Sequence, residues 1–141
     1  MDDFKDKFRI EELQIKKLNY WTVSLRPHQV TIGSLILSLN RKCPHLGDIT
    51  EKEGQELSEA FKMVEKMLQV TFKPDKINYL ALMMIDNHVH FHIIPRYHKL
   101  VIFNDQNYKD RDWPRPPLIE YNLNISDATL IEIKKFLVEY K

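Results

Sequence analysis

The sequence predicts an α+β domain, an antiparallel sheet of about five strands covered by one long helix, with short helices at the two ends. Three observations lead there. Runs rich in aromatic and β-branched residues stand on both sides of one long helical period. That period opens on a capping signal, Thr50 with Glu53. The run His88–Ile94, HVHFHII, alternates polar and apolar residues up to its final pair, which is the period of a strand.

The elements follow in chain order. Asp3 to Leu13 is expected to form a short opening helix. Asn19 to Pro27, NYWTVSLRP, reads as a first strand ended by proline. Val30 to Asn40, VTIGSLILSLN, reads as a second, with Pro27-His28 in the turn between them. A loop containing Pro44 and Gly47 leads to Thr50. Leu57, Ala60, Phe61, Val64, Met67 and Leu68 then recur at spacings of three and four, a helical face of about five turns. Ile77–Ile85 and His88–Ile94 are two further strands, with Pro95 at the end of the latter. Residues 98–125 read as mostly irregular, with the rigid run DWPRPP inside. Ser126 caps a last helix whose Leu130, Ile133, Phe136, Leu137 and Tyr140 share a face.

The 141 residues suffice for one compact domain, taken as residues 1–141. A net charge of +1, from 21 basic and 20 acidic residues, offers no field to attract nucleic acid or an anionic membrane. The lone cysteine, Cys43, reads as an ordinary half-buried thiol in a reducing compartment. The charged N-terminus does not resemble a secretory signal, and no apolar run approaches the ~20 residues that cross a bilayer. A cytoplasmic location is expected.

Alternation places His88, His90 and His92 on one face of their strand, with Val89, Phe91 and Ile93 on the other, beneath the long helix. Three imidazoles at ~7 Å steps have four uses. They can be merely solvated. Two can bind a metal ion, although the end pair, ~13 Å apart, cannot share one. They can form a pH switch. Or the central ring can attack phosphorus while its neighbours orient it, contact the phosphoryl oxygens and pass a proton to the leaving group. The last reading uses all three side chains and needs no metal.

HVHFHII matches the signature of the histidine triad (HIT) superfamily, H-φ-H-φ-H-φ-φ with φ apolar, at all seven positions. The order GSLILSLNR, LGDITEKE, triad and IPRY, with the later DWP, also resembles small bacterial members. The resemblance implies the HIT-like fold. It implies a nucleotide hydrolase or nucleotidyl transferase acting at the α-phosphate of phosphoramidates, dinucleoside polyphosphates or related nucleotides, through a nucleotidyl-histidine. It assigns attack to His90, the holding of His90 through a backbone carbonyl to His88, and phosphate contact with help in proton transfer to His92. It also implies a homodimer and a small-molecule nucleotide partner. No cofactor is required, and a divalent cation is compatible with a polyphosphate substrate.

Three positions depart from the family pattern. Ser34 follows Gly33 where many members carry a fourth histidine. Arg26 stands where many place an Asp or Asn for the ribose. MMIDN, Met83–Asn87, replaces the GQ[ST] segment, so that Asp86 or Asn87 takes its place. Ser34, Arg26, Asn87 and Arg96 are therefore the candidate substrate-binding residues, with an ion pair the other use of Arg96. Two alternatives stay open: a nucleotide-binding member with weak catalysis, and a metalloprotein using two triad histidines. His28, His45 and His98 read as ordinary loop histidines, Trp113 as a loop anchor, and Tyr20, Trp21, Met83 and Met84 as core or near-core.

Overall fold

The computed structural model describes residues 1–140. In chain order its elements are α1 (Asp2–Lys7), β1 (Gln14–Lys17), β2 (Trp21–Leu25), β3 (Leu35–Leu39), α2 (Glu51–Thr71), β4 (Lys76–Leu80), β5 (His90–Arg96), β6 (Val101–Phe103), β7 (Gln106–Tyr108) and α3 (Asp127–Val138). Five strands form one sheet in the order β1-β2-β3-β5-β4, each pair antiparallel. β6 and β7 form a separate hairpin.

The predicted capping box is present. Thr50 accepts from the Glu53 backbone N–H and Glu53 accepts from that of Thr50. From it α2 runs for 21 residues and buries Ala60, Val64, Met67 and Leu68. They meet Trp21, Val23, Leu25, Leu35, Leu37, Leu39 and Ile93 on one sheet face, joined at the edge by Leu130, Ile133 and Leu137 of α3. Val89 and Ile93 are fully buried here, and Phe91 packs edge-on against Phe61. The buried Glu56 carboxylate accepts from the backbone N–H groups of Asn19, Tyr20 and Trp21, which ties the β1–β2 turn to α2.

Several boundaries differ from the sequence expectation. The opening helix stops at Lys7, and turns follow it to Leu13. β1 was not anticipated. It is a half-exposed edge strand, QIKK, with a register shift and no apolar alternation to betray it. β3 begins at Leu35, because residues 30–34 form a turn that holds Gly33 at φ +89, a conformation suited to glycine. β4 ends at Leu80, so Ala81–Asn87 is a loop with Met84 79% and Ile85 90% exposed, and Met84 is not a core residue. Residues 98–125 contain the β6–β7 hairpin, turned by Asn104 and Asp105 at φ 49 and 64. In α3, Phe136 is 41% exposed, although its ring touches Phe72 and Phe103.

Pro95 lies inside β5 rather than at its end. β3 pairing stops at Ile93, so the missing proline N–H faces no partner strand, and the Thr31 hydroxyl donates to the Pro95 carbonyl at 2.6 Å.

Leu37, with no exposed surface, sits opposite Phe91 at the centre of the sheet. Leu37→Ala is expected to cost about 3 kcal/mol of unfolding free energy, read from urea denaturation, because the strands around the cavity cannot collapse into it.

Candidate active site

The face of the sheet away from α2 carries His90 and His92 beside Ile36, which lies directly opposite His92 in β3. α1 roofs this face. Its Phe4 ring lies 4.9 Å from both His88 and His90, and Phe8 lies 5.9 Å from His90 and 6.1 Å from His92. All three imidazoles are buried, at 4%, 2% and 5% exposure in sequence order. His88 itself falls in a bend just before β5, not in the strand.

The hydrogen bonds fix the proton on every ring, since backbone N–H and guanidinium groups only donate and carbonyls only accept. His88 Nδ1 accepts from the Cys43 N–H at 3.3 Å, and its Nε2–H donates to the Leu39 carbonyl at 2.8 Å. His90 Nδ1–H donates to the His88 carbonyl, which leaves Nε2 unprotonated. His92 Nδ1 accepts from Arg26 Nε–H at 3.3 Å, so its proton is on Nε2, 3.2 Å from His90 Nε2. The chain of donors runs from Arg26 through His92 to His90.

His90 and His92 open on a cleft of about 460 Å³. One wall is Phe8 with Lys7, another the loop Leu82–Asp86, and a third Arg26–His28 with Ile119 and Glu120. Lys7 Nζ holds both Asp86 oxygens at 2.9 Å and so joins the first wall to the second. A wider depression of about 670 Å³ at the start of α2, lined by Tyr20, Arg41 and Glu53, contains no histidine and none of the triad's partners.

Burial shapes the electrostatics. It lowers the pKa of all three histidines, and for His92, with the Arg26 charge added, to about 3. Burial also pushes Arg26 down to about 10, still a cation at neutral pH.

The four candidate substrate-binding residues are placed differently. Arg26 reaches the triad. Ser34 does not: its hydroxyl donates to the Thr31 carbonyl at 2.7 Å and accepts from the Thr31 N–H at 3.1 Å, and it is absent from the cleft walls. Arg96 is 3% exposed and spent on structure. It pairs with Asp110 at 2.8 Å and donates to Asn78 and to the Arg115 carbonyl, which docks the DWPRPP run on the sheet. This is a buried ion pair where a surface pair or a phosphate contact was expected. Asn87 is exposed and lies outside the cleft, whereas its neighbour Asp86 lines it. His28, read as an ordinary loop histidine, lines the cleft, and its carbonyl accepts from Arg26. His45 and His98 remain exposed, Trp113 packs beside His98, and Trp21 is core. The roof residues Phe4 and Phe8 were missed, yet their spacing of four, apolar among charges, was visible.

Among the described residues, no group of three His, Cys, Asp or Glu side chains is placed to hold a metal ion. No described helix is long and apolar enough to cross a membrane.

A family model for the HIT domain matches residues 23–99, more than half of the chain. The chain belongs to the HIT domain family. Searched against curated protein sequences, this HIT domain finds no match. Among solved structures it is similar to a histidine triad protein from Sinorhizobium meliloti, at TM-score 0.73 and 20% identity over 94% of this chain and 93% of the other. A histidine triad protein from Bradyrhizobium japonicum superposes at TM-score 0.70 and 22% identity, covering 92% and 91% of the two chains. A hypothetical histidine triad nucleotide-binding protein from Sulfolobus tokodaii gives 0.68 and 17%, covering 90% and 81%. At these identities the likeness is one of fold.

The HIT domain's buried imidazoles carry a pH signature. Between the ordinary histidine value of ~6.5 and the His92 value of about 3, the unfolded chain binds more protons than the folded one. Stability is therefore full above pH ~6.5 and falls as the pH drops through that window. Thermal melts from pH 8 to 4 are expected to show this decline, and His92→Gln is expected to flatten part of it.

Proposed function

We propose that this protein is a nucleotide hydrolase or nucleotidyl transferase that acts at an α-phosphate with His90 as nucleophile. The observation that carries the reading is the unprotonated Nε2 of His90, held by the Nδ1–H bond to the His88 carbonyl and facing the cleft. The HIT family membership and the nucleotide-binding relative from Sulfolobus tokodaii support a nucleotide as the substrate. The cleft volume lies within the range of small-molecule sites, and Phe8, Pro27 and Ile119 offer apolar surface for a base.

In this reading the His90 Nε2 lone pair attacks the α-phosphorus. The bond to the leaving group breaks and its electron pair departs with that group. His92 Nε2–H turns from His90 to a non-bridging phosphoryl oxygen. The Nδ1–H bond to the His88 carbonyl steadies the positive ring of the nucleotidyl-histidine. Water, or another acceptor, then attacks phosphorus and returns the electron pair to Nε2.

A panel of nucleoside phosphoramidates and dinucleoside polyphosphates tests this. The expected result is turnover of the dinucleoside polyphosphates, whose leaving phosphate departs as an anion, with an acid-labile, base-stable label on the protein. Slow turnover is expected of the phosphoramidates, whose amine needs a proton that the step above does not supply. His90→Asn should lose that label and at least ~10³-fold in rate while its melting profile stays cooperative. Full activity in His90→Asn overturns the nucleophile. Binding without turnover by the native protein makes it a non-catalytic nucleotide binder.

A further inference from the structure

Arg26 has no role in the attack described above, yet it is buried in the wall of the cleft, 8% exposed. Three of its N–H groups are committed: Nε–H to His92 Nδ1, and the terminal nitrogens to the carbonyls of His28 and Ile119. These two carbonyls lie in separate wall segments and fix the guanidinium from both sides. Its orientation toward His92 is thus set by the fold, not by a ligand.

A guanidinium has no acceptor, so His92 Nδ1 must be the acceptor and carries no proton. His92 is then a neutral ring with one proton on Nε2. Such a ring donates a hydrogen bond but cannot surrender that proton near neutrality, because an imidazolate would remain. The other charged groups around His92 do not change this. Lys7 of α1 and the His90 ring oppose its protonation, and Asp86 of the 81–87 loop, which favours it, is neutralised by Lys7. Ser34, where a fourth histidine would stand, is turned into the Thr31 loop.

Resting on the nucleotidyl-transfer reading above, we propose that Arg26 is a positioning residue that keeps His92 a hydrogen-bond donor rather than an acid. The site thereby selects substrates whose leaving group departs as a stable anion, such as a carboxylate or an acidic phenolate. The step balances without a proton from the protein. His90 Nε2 forms the N–P bond, the P–O bond to the leaving group breaks, and both electrons leave on that oxygen. Hydrolysis breaks the N–P bond, returns the pair to Nε2 and releases the water proton to solvent.

The test compares p-nitrophenyl and phenyl esters of adenosine and guanosine 5′-phosphate. The native protein is expected to turn over the p-nitrophenyl ester and to process the phenyl ester at least ~100-fold more slowly, the scale of missing acid catalysis. In Arg26→Met the gap should narrow, and the phenyl ester rate should rise on the acid side, because His92 Nδ1 loses the donor and the positive charge that oppose its protonation, while burial still holds its pKa below the ordinary histidine value. An equal gap in both proteins, or an acid limb in the native one, overturns the proposal. A nitrogen-15 histidine spectrum of the native protein reads the tautomer without any variant. Protonation of His92 on Nε2 alone from pH 5 to 8 is expected, and a proton on its Nδ1 overturns the proposal even if Arg26→Met does not fold. Failure of every ester, with no label on His90, would instead remove the nucleotidyl-transfer reading and leave the spectrum to decide the role of Arg26.

Discussion

A ring nitrogen buried without a partner costs ~1–3 kcal/mol, a large share of a domain's ~5–15 kcal/mol of stability. Three buried imidazoles present six such nitrogens, and their pairing organises this half of the molecule. Their partners come from the last residue of β3, the Cys43 loop, the backbone of His88 and the residue after β2. The loop after β3 is held to the same strand by the Val89 N–H to Cys43 carbonyl bond and the Leu39 N–H to Val89 carbonyl bond. Hydrogen bonding thus supplies on the histidine face what side-chain packing supplies beneath α2.

The same pairing explains why the rings have unequal chemistry. Both nitrogens of His88 are spent on the backbone, so it can only hold its carbonyl in place. His90 and His92 each keep one nitrogen toward the cleft, and these two face each other at hydrogen-bond distance. Nothing in the spacing HxHxH distinguishes them. The difference is imposed from outside the strand, by a carbonyl on one ring and a guanidinium on the other.

Elements with a local cause were readable in the sequence. The Thr50–Glu53 box and the three-and-four spacing of α2 act over one or two turns, and the alternation of HVHFHII over one strand. β1 was hidden because an exposed edge strand needs no apolar alternation. The β6–β7 hairpin was readable in principle, since Asn-Asp between two short strand-like runs favours the left-handed turn. In the site, the triad and its shared face could be foreseen from its own residues. The fates of Arg96 and Arg26 could not, because their partners lie 14 to 19 and 66 to 93 residues away, whereas Ser34 is held by Thr31 only three residues earlier. Arg96 ends β5 and Arg26 follows β2, and one became an anchor and the other a neighbour of the triad through contacts that no local pattern encodes.

The Lys7–Asp86 pair is the part of the cleft wall where a charge meets solution. Lys7 is half exposed, and such a pair contributes only ~0–1 kcal/mol and weakens with salt. The bonds among the imidazoles are dry and short-ranged, and dissolved ions scarcely affect them. The cleft wall thus joins two dielectric environments: an ion pair that dissolved salt weakens, and beneath it a set of hydrogen bonds that salt leaves in place.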